Sequence, residues 1–221
     1  MKKLALILFC LLPLLAFAKW DGEPVTAIMA DGTRMEGFTK TSLINYIKGA
    51  QSEIGISETF KGKEKKYTSQ EITELIFPPN EEVSTPAIYR SVWAQKQMPH
   101  AFNKNPKTYK KPVFLQCFYD GENVKGYKRA CMDVTNTPSM SRVNYKWMYY
   151  YKVEGEDVAK SYWFATSDLI IGLRKVMKFY FREFPELQQM VNDGTLSPDD
   201  FRADPTIVLP LMDTAISSRP K

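Results

Sequence analysis

The sequence predicts an α+β fold, with antiparallel strands first and helices last. Three observations lead there. Period-two alternation of apolar residues recurs from Pro24 to Ala165, punctuated by turn sequences such as Asp31-Gly32 and Tyr119-Asp120-Gly121-Glu122. Beyond Ser167 the apolar spacing becomes helical, with Leu169, Leu173, Val176, Tyr180 and Phe184 on one stripe. Helix-start signals then follow in succession at Ser197-Pro198 and Asp204-Pro205.

The first 18 residues read as a signal peptide. Lys2 and Lys3 form a positive n-region, Leu4 to Leu15 an apolar core, and Ala16-Phe17-Ala18 a cleavage site with small residues at −3 and −1. That core is short for a membrane span, and Lys19 and Asp21 follow closely. Cys10 lacks the small preceding residues of a lipobox and is discarded with the peptide. The expectation is an exported chain, periplasmic, outer-surface or secreted, with no transmembrane segment in its mature part. It divides into a β-barrel-like unit over 19–80, a hairpin region over 81–166 and a helical segment over 167–221.

In the first unit, Val25, Ala27 and Met29 alternate with Thr26, Ile28 and Ala30, and Asp31-Gly32 turns the chain into Thr33 to Phe38. Leu43 to Ile47 and Glu53 to Ser57 are further strands. The run from Lys61 to Lys66 is a polar turn, and Tyr67 to Phe77 closes the unit, with Ser69-Gln70-Glu71 as one helical turn. Five short strands predict a small barrel.

Pro78, Pro79 and Pro86 mark a break. Ile88 to Gln95 fits a strand better than a helix because Ile88, Val92 and Trp93 suit a pleated surface. Pro99 to Pro112 is loop-like, and Val113 to Tyr119 with Val124 to Val134 makes a second hairpin. In the third, Val143, Tyr145, Trp147, Tyr149, Tyr151 and Val153 share one face, while Asn144, Lys146, Met148, Tyr150 and Lys152 share the other. Glu154-Gly155-Glu156-Asp157 returns the chain to Ala159–Ala165. Ser167 is the predicted cap of the first helix, which Pro185 ends or bends. Glu186 to Asn192 is a second helix, stopped by Asp193-Gly194, and Ser197 starts a third, restarted at Asp204-Pro205 toward Ile216.

Composition excludes several functions. Loss of Lys2 and Lys3 lowers the formal charge from +5 to +3, too mild for a nucleic-acid footprint, which export also opposes. His100 is the single histidine, which removes His-based triads and most metal sites. No GxSxG, HExxH, CxxC or phosphate-cradling glycine loop occurs. Asp31 and Asp120 read as turn residues, and Asp168, Asp199 and Asp200 as helix starters. No cofactor, metal or catalytic residue is assigned. Cys117 and Cys131 fall too far apart along the second hairpin to bridge if residue 124 opposes Cys117, and two buried free thiols are expected.

Val25-Thr26-Ala27-Ile28-Met29-Ala30-Asp31-Gly32-Thr33-Arg34-Met35-Glu36-Gly37, Lys65 to Ile72, the Tyr-rich hairpin and Phe184-Pro185-Glu186-Leu187 together give the chain a resemblance. It resembles a group of exported Bacteroidetes proteins of uncharacterised function. The resemblance implies a compartment and a fold type, with no catalytic or binding residue to carry across.

The candidate sites are therefore surfaces. Trp147 and its companions are expected in the core, leaving Tyr150 and Met148, flanked by Lys146 and Lys152, as an exposed patch for a partner. Arg174, Lys178 and Arg182 recur at i, i+4 and i+8, a basic line suited to anionic headgroups or an acidic glycan. Lys104, Lys107, Lys110 and Lys111 form a second basic group near Lys125, Lys128 and Arg129. The expected function is non-catalytic binding of an envelope or surface component, either a protein or a glycan, with peripheral membrane contact as one mode. The competing expectation is a carbohydrate-acting hydrolase using two carboxylates brought together in a cleft.

Overall fold

A computed structural model describes residues 22–41, 43, 49–79, 84–96, 106–137, 140–164 and 172–219, with backbone alone for 132–137 and 140–145. The expected signal peptide, residues 44–47 of the strand expected over 43–47, His100, Lys104, Ser167 and Asp168 lie outside the described residues.

The fold is mixed α+β. β1 (Glu23–Met29) and β2 (Arg34–Thr39) form the first hairpin. Its turn places Gly32 at φ 84°, and Asp31 Oδ1 accepts from Thr33 N at 2.9 Å. β3 (Glu53–Ile56) pairs with β4 (Lys65–Thr68), and a Phe38–Ser57 bridge ties this pair to β2. Gly37 allows that approach, since a Cβ there would meet Ser57 O at 2.5 Å. After the 69–71 turn, β5 (Ile72–Phe77) lies on the other side of β1.

The sheet then continues through β6 (Ala87–Ala94), β7 (Val113–Asp120), β8 (Val124–Thr137), β9 (Met140–Val153) and β10 (Val158–Phe164). Its order is β10-β9-β8-β7-β6-β5-β1-β2, and the segment 88–94 is a strand as expected. β10 also returns to β6 in parallel, through Val158–Trp93 and Ala159–Ala94. Strands β6 to β10 thus form a closed hydrogen-bonded circuit with an inside and an outside.

The β7–β8 register differs from the sequence expectation. Gly121-Glu122-Asn123 loops out and a bulge falls between Cys117 and Tyr119, so Cys117 opposes Tyr127 instead of residue 124. Cys131 lies further along β8, about 13 Å of strand at roughly 3.3 Å per residue. Both thiols are free, with Cys131 buried and Cys117 half-buried.

Four helices close the chain: α1 (Leu173–Tyr180), α2 (Pro185–Asp193), α3 (Pro198–Ala203) and α4 (Val208–Ser217), the last after a 3-10 turn at Pro205–Ile207. Pro185 does not bend a helix but opens α2, where its missing N–H costs nothing. Gly194 stops α2 at φ 88°. Ser197 caps α3, its Oγ accepting from Asp200 N at 3.1 Å. Among the described residues no helix is long and apolar enough to cross a membrane.

Three apolar clusters result. Val25, Ile54, Ile56, Ile72 and Leu75 fill the N-terminal strands. Val92, Leu115, Tyr127, Met148 and Tyr150 fill the closed circuit. Tyr151, Tyr162, Met177, Phe181, Phe184, Phe201, Leu209 and Met212 join the outer face of β8 to β10 to the helices. Tyr162 is the hub of this last cluster, with ring centroids 6.3 Å from Phe181 and 6.4 Å from Phe201. Each such fully buried side chain contributes about 1.5–3 kcal/mol of transfer free energy.

The C-terminal helix is held polar as well as apolar. Asp213 on α4 accepts from the backbone N–H groups of Glu122, Asn123 and Val124 at 3.2, 2.6 and 3.1 Å, and from Tyr119 Oη at 3.2 Å. Burial opposes ionisation of Asp213, but these donors, Asn123 foremost, outweigh it and hold the carboxyl below its ordinary range.

Candidate functional site

The aromatic patch expected on β9 is not on the surface. Tyr150 is fully buried and Met148 is 7% exposed, because they face the inside of the strand circuit. Tyr150 Oη accepts from Arg129 Nε at 2.8 Å and donates to Met148 Sδ at 2.9 Å. Burial is the main force pushing the Tyr150 phenol up, with Arg129 acting against it. The opposite face is covered too: Tyr151 is buried against Phe184, 5.6 Å between centroids, and Tyr149 packs beside Tyr162. Alternation marked the two faces correctly, but the circuit and the helices cover one each. Lys146 and Lys152 are half-buried, and Lys146 Nζ lies 6.0 Å from the Phe164 ring.

The second basic group is divided: Lys107, Lys110 and Lys111 are exposed, whereas its three members on β8 are engaged elsewhere. Lys125 pairs with Asp120 at 3.1 Å. Lys128 sits over the Trp147 and Phe118 rings at 4.6 and 5.7 Å, and burial pushes its ammonium down. Arg129 points at Tyr150 within the circuit.

The basic line on the helices is partly gathered. Arg174 and Lys178 line a hollow of about 500 Å³ together with Gly172, Leu173, Lys175, Pro198 and Arg202. All four cations are exposed, and among the described residues no carboxylate lines the hollow. Arg174 is fixed in place: its Nε and Nη2 donate to Val191 O and Asn192 O, at 3.1 and 3.2 Å, closing the end of α2. Arg202 Nη1 is 2.8 Å from Asp199 Oδ1. Gly172 caps α1 without a side chain, and the first turn of α1 carries no acid. Arg182 does not join. Helix α1 ends at Tyr180, and the Arg182 guanidinium turns onto the Phe179 ring at 4.8 Å.

Two of the four cations escaped the sequence reading. Lys175 adjoins the i, i+4 line on the same exposed side of α1. Arg202 reaches the hollow because α3 packs beside the end of α1, Phe201 meeting Phe181, the residue after α1, at 5.6 Å between centroids.

Carboxylates do meet across the sequence, but around bases. Lys160 Nζ bridges Glu156 and Glu183 at 2.8 and 2.6 Å, and Arg90 bridges Glu74 and Asp120 at 2.9 and 2.8 Å. Glu36 and Glu58 line a groove of about 590 Å³ between the N-terminal strands and Pro78, Pro79 and Pro86, where Glu36 pairs with Arg34 at 3.1 Å. Among the described residues no cluster of His, Cys, Asp and Glu could hold a metal ion. No protein-family model, curated protein or solved structure matches the chain.

Proposed function

We propose that this is an exported, non-catalytic protein of the Bacteroidetes type it resembles, which binds an anionic envelope component through the basic hollow between α1 and α3. The observation that carries this is the convergence of Arg174, Lys175, Lys178 and Arg202 on one concavity of about 500 Å³, lined among the described residues by no acid. Opposed charge steers such a ligand and desolvates only partly at an open site, so binding is moderate and salt-sensitive. In this reading the N-terminal strands, linked in the order β5-β1-β2 with β3-β4 bridged to β2, are a small barrel.

The test has two parts. Mass spectrometry of the chain recovered from its native envelope gives Lys19 as the first residue if the peptide is cut after Ala18. Purified mature chain is then mixed with isolated envelopes and sedimented across a salt series. Lys175→Glu with Lys178→Glu abolishes co-sedimentation if the hollow binds; undiminished sedimentation of the folded variant removes this reading.

The hydrolase alternative rests on Glu36 and Glu58, which line one groove. Glu36 is 74% exposed and already paired, so it lacks the apolar enclosure that keeps a catalytic acid protonated. Release of reducing sugar from envelope glycan, lost in Glu58→Gln, would favour that alternative.

A further inference from the structure

Resting on the binding reading above, we propose that the group recognised in the hollow is a phosphate, carried either by a lipid headgroup or by a soluble phosphate ester. The lining residues differ in kind in a way that suits it. Arg174 presents a guanidinium pinned from behind by two main-chain carbonyls at 3.1 and 3.2 Å, so its remaining N–H edge is oriented before any ligand arrives. Lys175 and Lys178 are mobile point charges on the exposed side of the same helix, with no carboxylate pairing to either among the described residues. Arg202 approaches from α3, and Asp199 offsets part of its charge. Cations thus stand on two sides of the concavity, an arrangement that meets several oxygens of a tetrahedral dianion at once. A carboxylate presents two oxygens in one plane and a single charge, and would leave part of this set unmatched. The unacidified first turn of α1 adds a field of the same sign. The hollow, at about 500 Å³, exceeds one phosphate and leaves room for the group that bears it.

The experiment uses the mature chain and four probes: inorganic phosphate, sodium acetate, phosphatidylcholine vesicles, and the same vesicles containing phosphatidic acid, whose headgroup is a phosphomonoester. Amide NMR follows the first two, and sedimentation follows the vesicles. Inorganic phosphate is expected to give saturable shifts at Gly172 to Lys178 and at Arg202, with acetate weaker by about tenfold. Lys175→Gln and Lys178→Gln each weaken phosphate by about tenfold, whereas Lys66→Gln, exposed elsewhere, leaves it unchanged. Both lysines are chosen because neither side chain holds the fold together.

Phosphate saturation with phosphatidic-acid-dependent sedimentation assigns the lipid source; saturation without sedimentation assigns a soluble ester. Equal acetate and phosphate affinities, or no saturable shift, overturn the phosphate assignment. If that happens while envelope binding still depends on Lys175 and Lys178, the binding reading survives alone. If phosphate saturates but envelopes are not bound, the phosphate site stands and the envelope reading falls.

Discussion

Removing the Asp213 carboxylate should detach the last helix from the β7–β8 turn. In Asp213→Ala the N–H groups of Asn123 and Val124, at 2.6 and 3.1 Å, lose their acceptor in a partly buried position, while that of Glu122, at 3.2 Å, is exposed enough to be rehydrated. Hydrogen bonds to a charged group are worth about 1.5–3 kcal/mol each, and three on one carboxylate are not additive. The expected loss is therefore about 3 kcal/mol, or roughly 6–12 °C in Tm for a domain of this size. Asp213→Asn keeps one acceptor oxygen and should cost about half as much. Urea unfolding of the mature chain, with midpoints compared at constant slope, measures both. The pH dependence follows from the lowered folded pKa: the Asp213 contribution is present above its unfolded value of about 3.9 and is lost as pH falls toward the folded value. The gap between wild type and Asp213→Asn should thus narrow below about pH 4. A loss under about 0.5 kcal/mol at neutral pH would refute the clasp as a structural element.

Gly126→Ala should destabilise by about 2 kcal/mol, since its Cβ would collide with Leu209 Cδ1 of α4 and stand 2.9 Å from Tyr119 Cβ; calorimetry of the variant checks this. Tyr150→Phe strips the acceptor from Arg129 Nε inside the circuit and should cost about 1–3 kcal/mol by urea titration without altering envelope binding, which distinguishes a core tyrosine from a contact one. Burial pushes the Tyr89 and Tyr127 phenols up to about 12, so stability is full below the unfolded value of about 10 and falls as pH rises above it. Absorbance of ionised tyrosine should then lag behind that of free tyrosine and rise together with unfolding. Arg90 to Asp120 is a two-bonded pair with a carboxylate 51% exposed, and a double-mutant cycle with Asp120→Asn should give about 1 kcal/mol of coupling, shrinking in high salt.

The sequence by itself determined what depends on neighbours along the chain. Turn chemistry at Asp31-Gly32, the alternation from Met148 to Val153, the Ser197 cap and the stop at Gly194 are each set within a few residues, and all appear where expected. Pro185 opening α2, and not bending α1, required only the knowledge of where α1 stopped. Tertiary structure decided the rest. Whether Tyr150 or Tyr151 faced solvent could not be read from alternation, because Met148 and Tyr150 on one face and Tyr149 and Tyr151 on the other are alike large and weakly polar, and both pairs became covered, one by the β6–β10 closure and one by the helices. The β7–β8 register was set by the turn, which spans Gly121 to Val124 between the paired Asp120 and Lys125 and not two residues, with a one-residue bulge beyond it. The basic hollow followed the same division: Arg174 and Lys178 shared a helix face and were visible as a pattern, whereas Arg202 joined them only through the packing of Phe201 on Phe181, a long-range contact that no local spacing encodes.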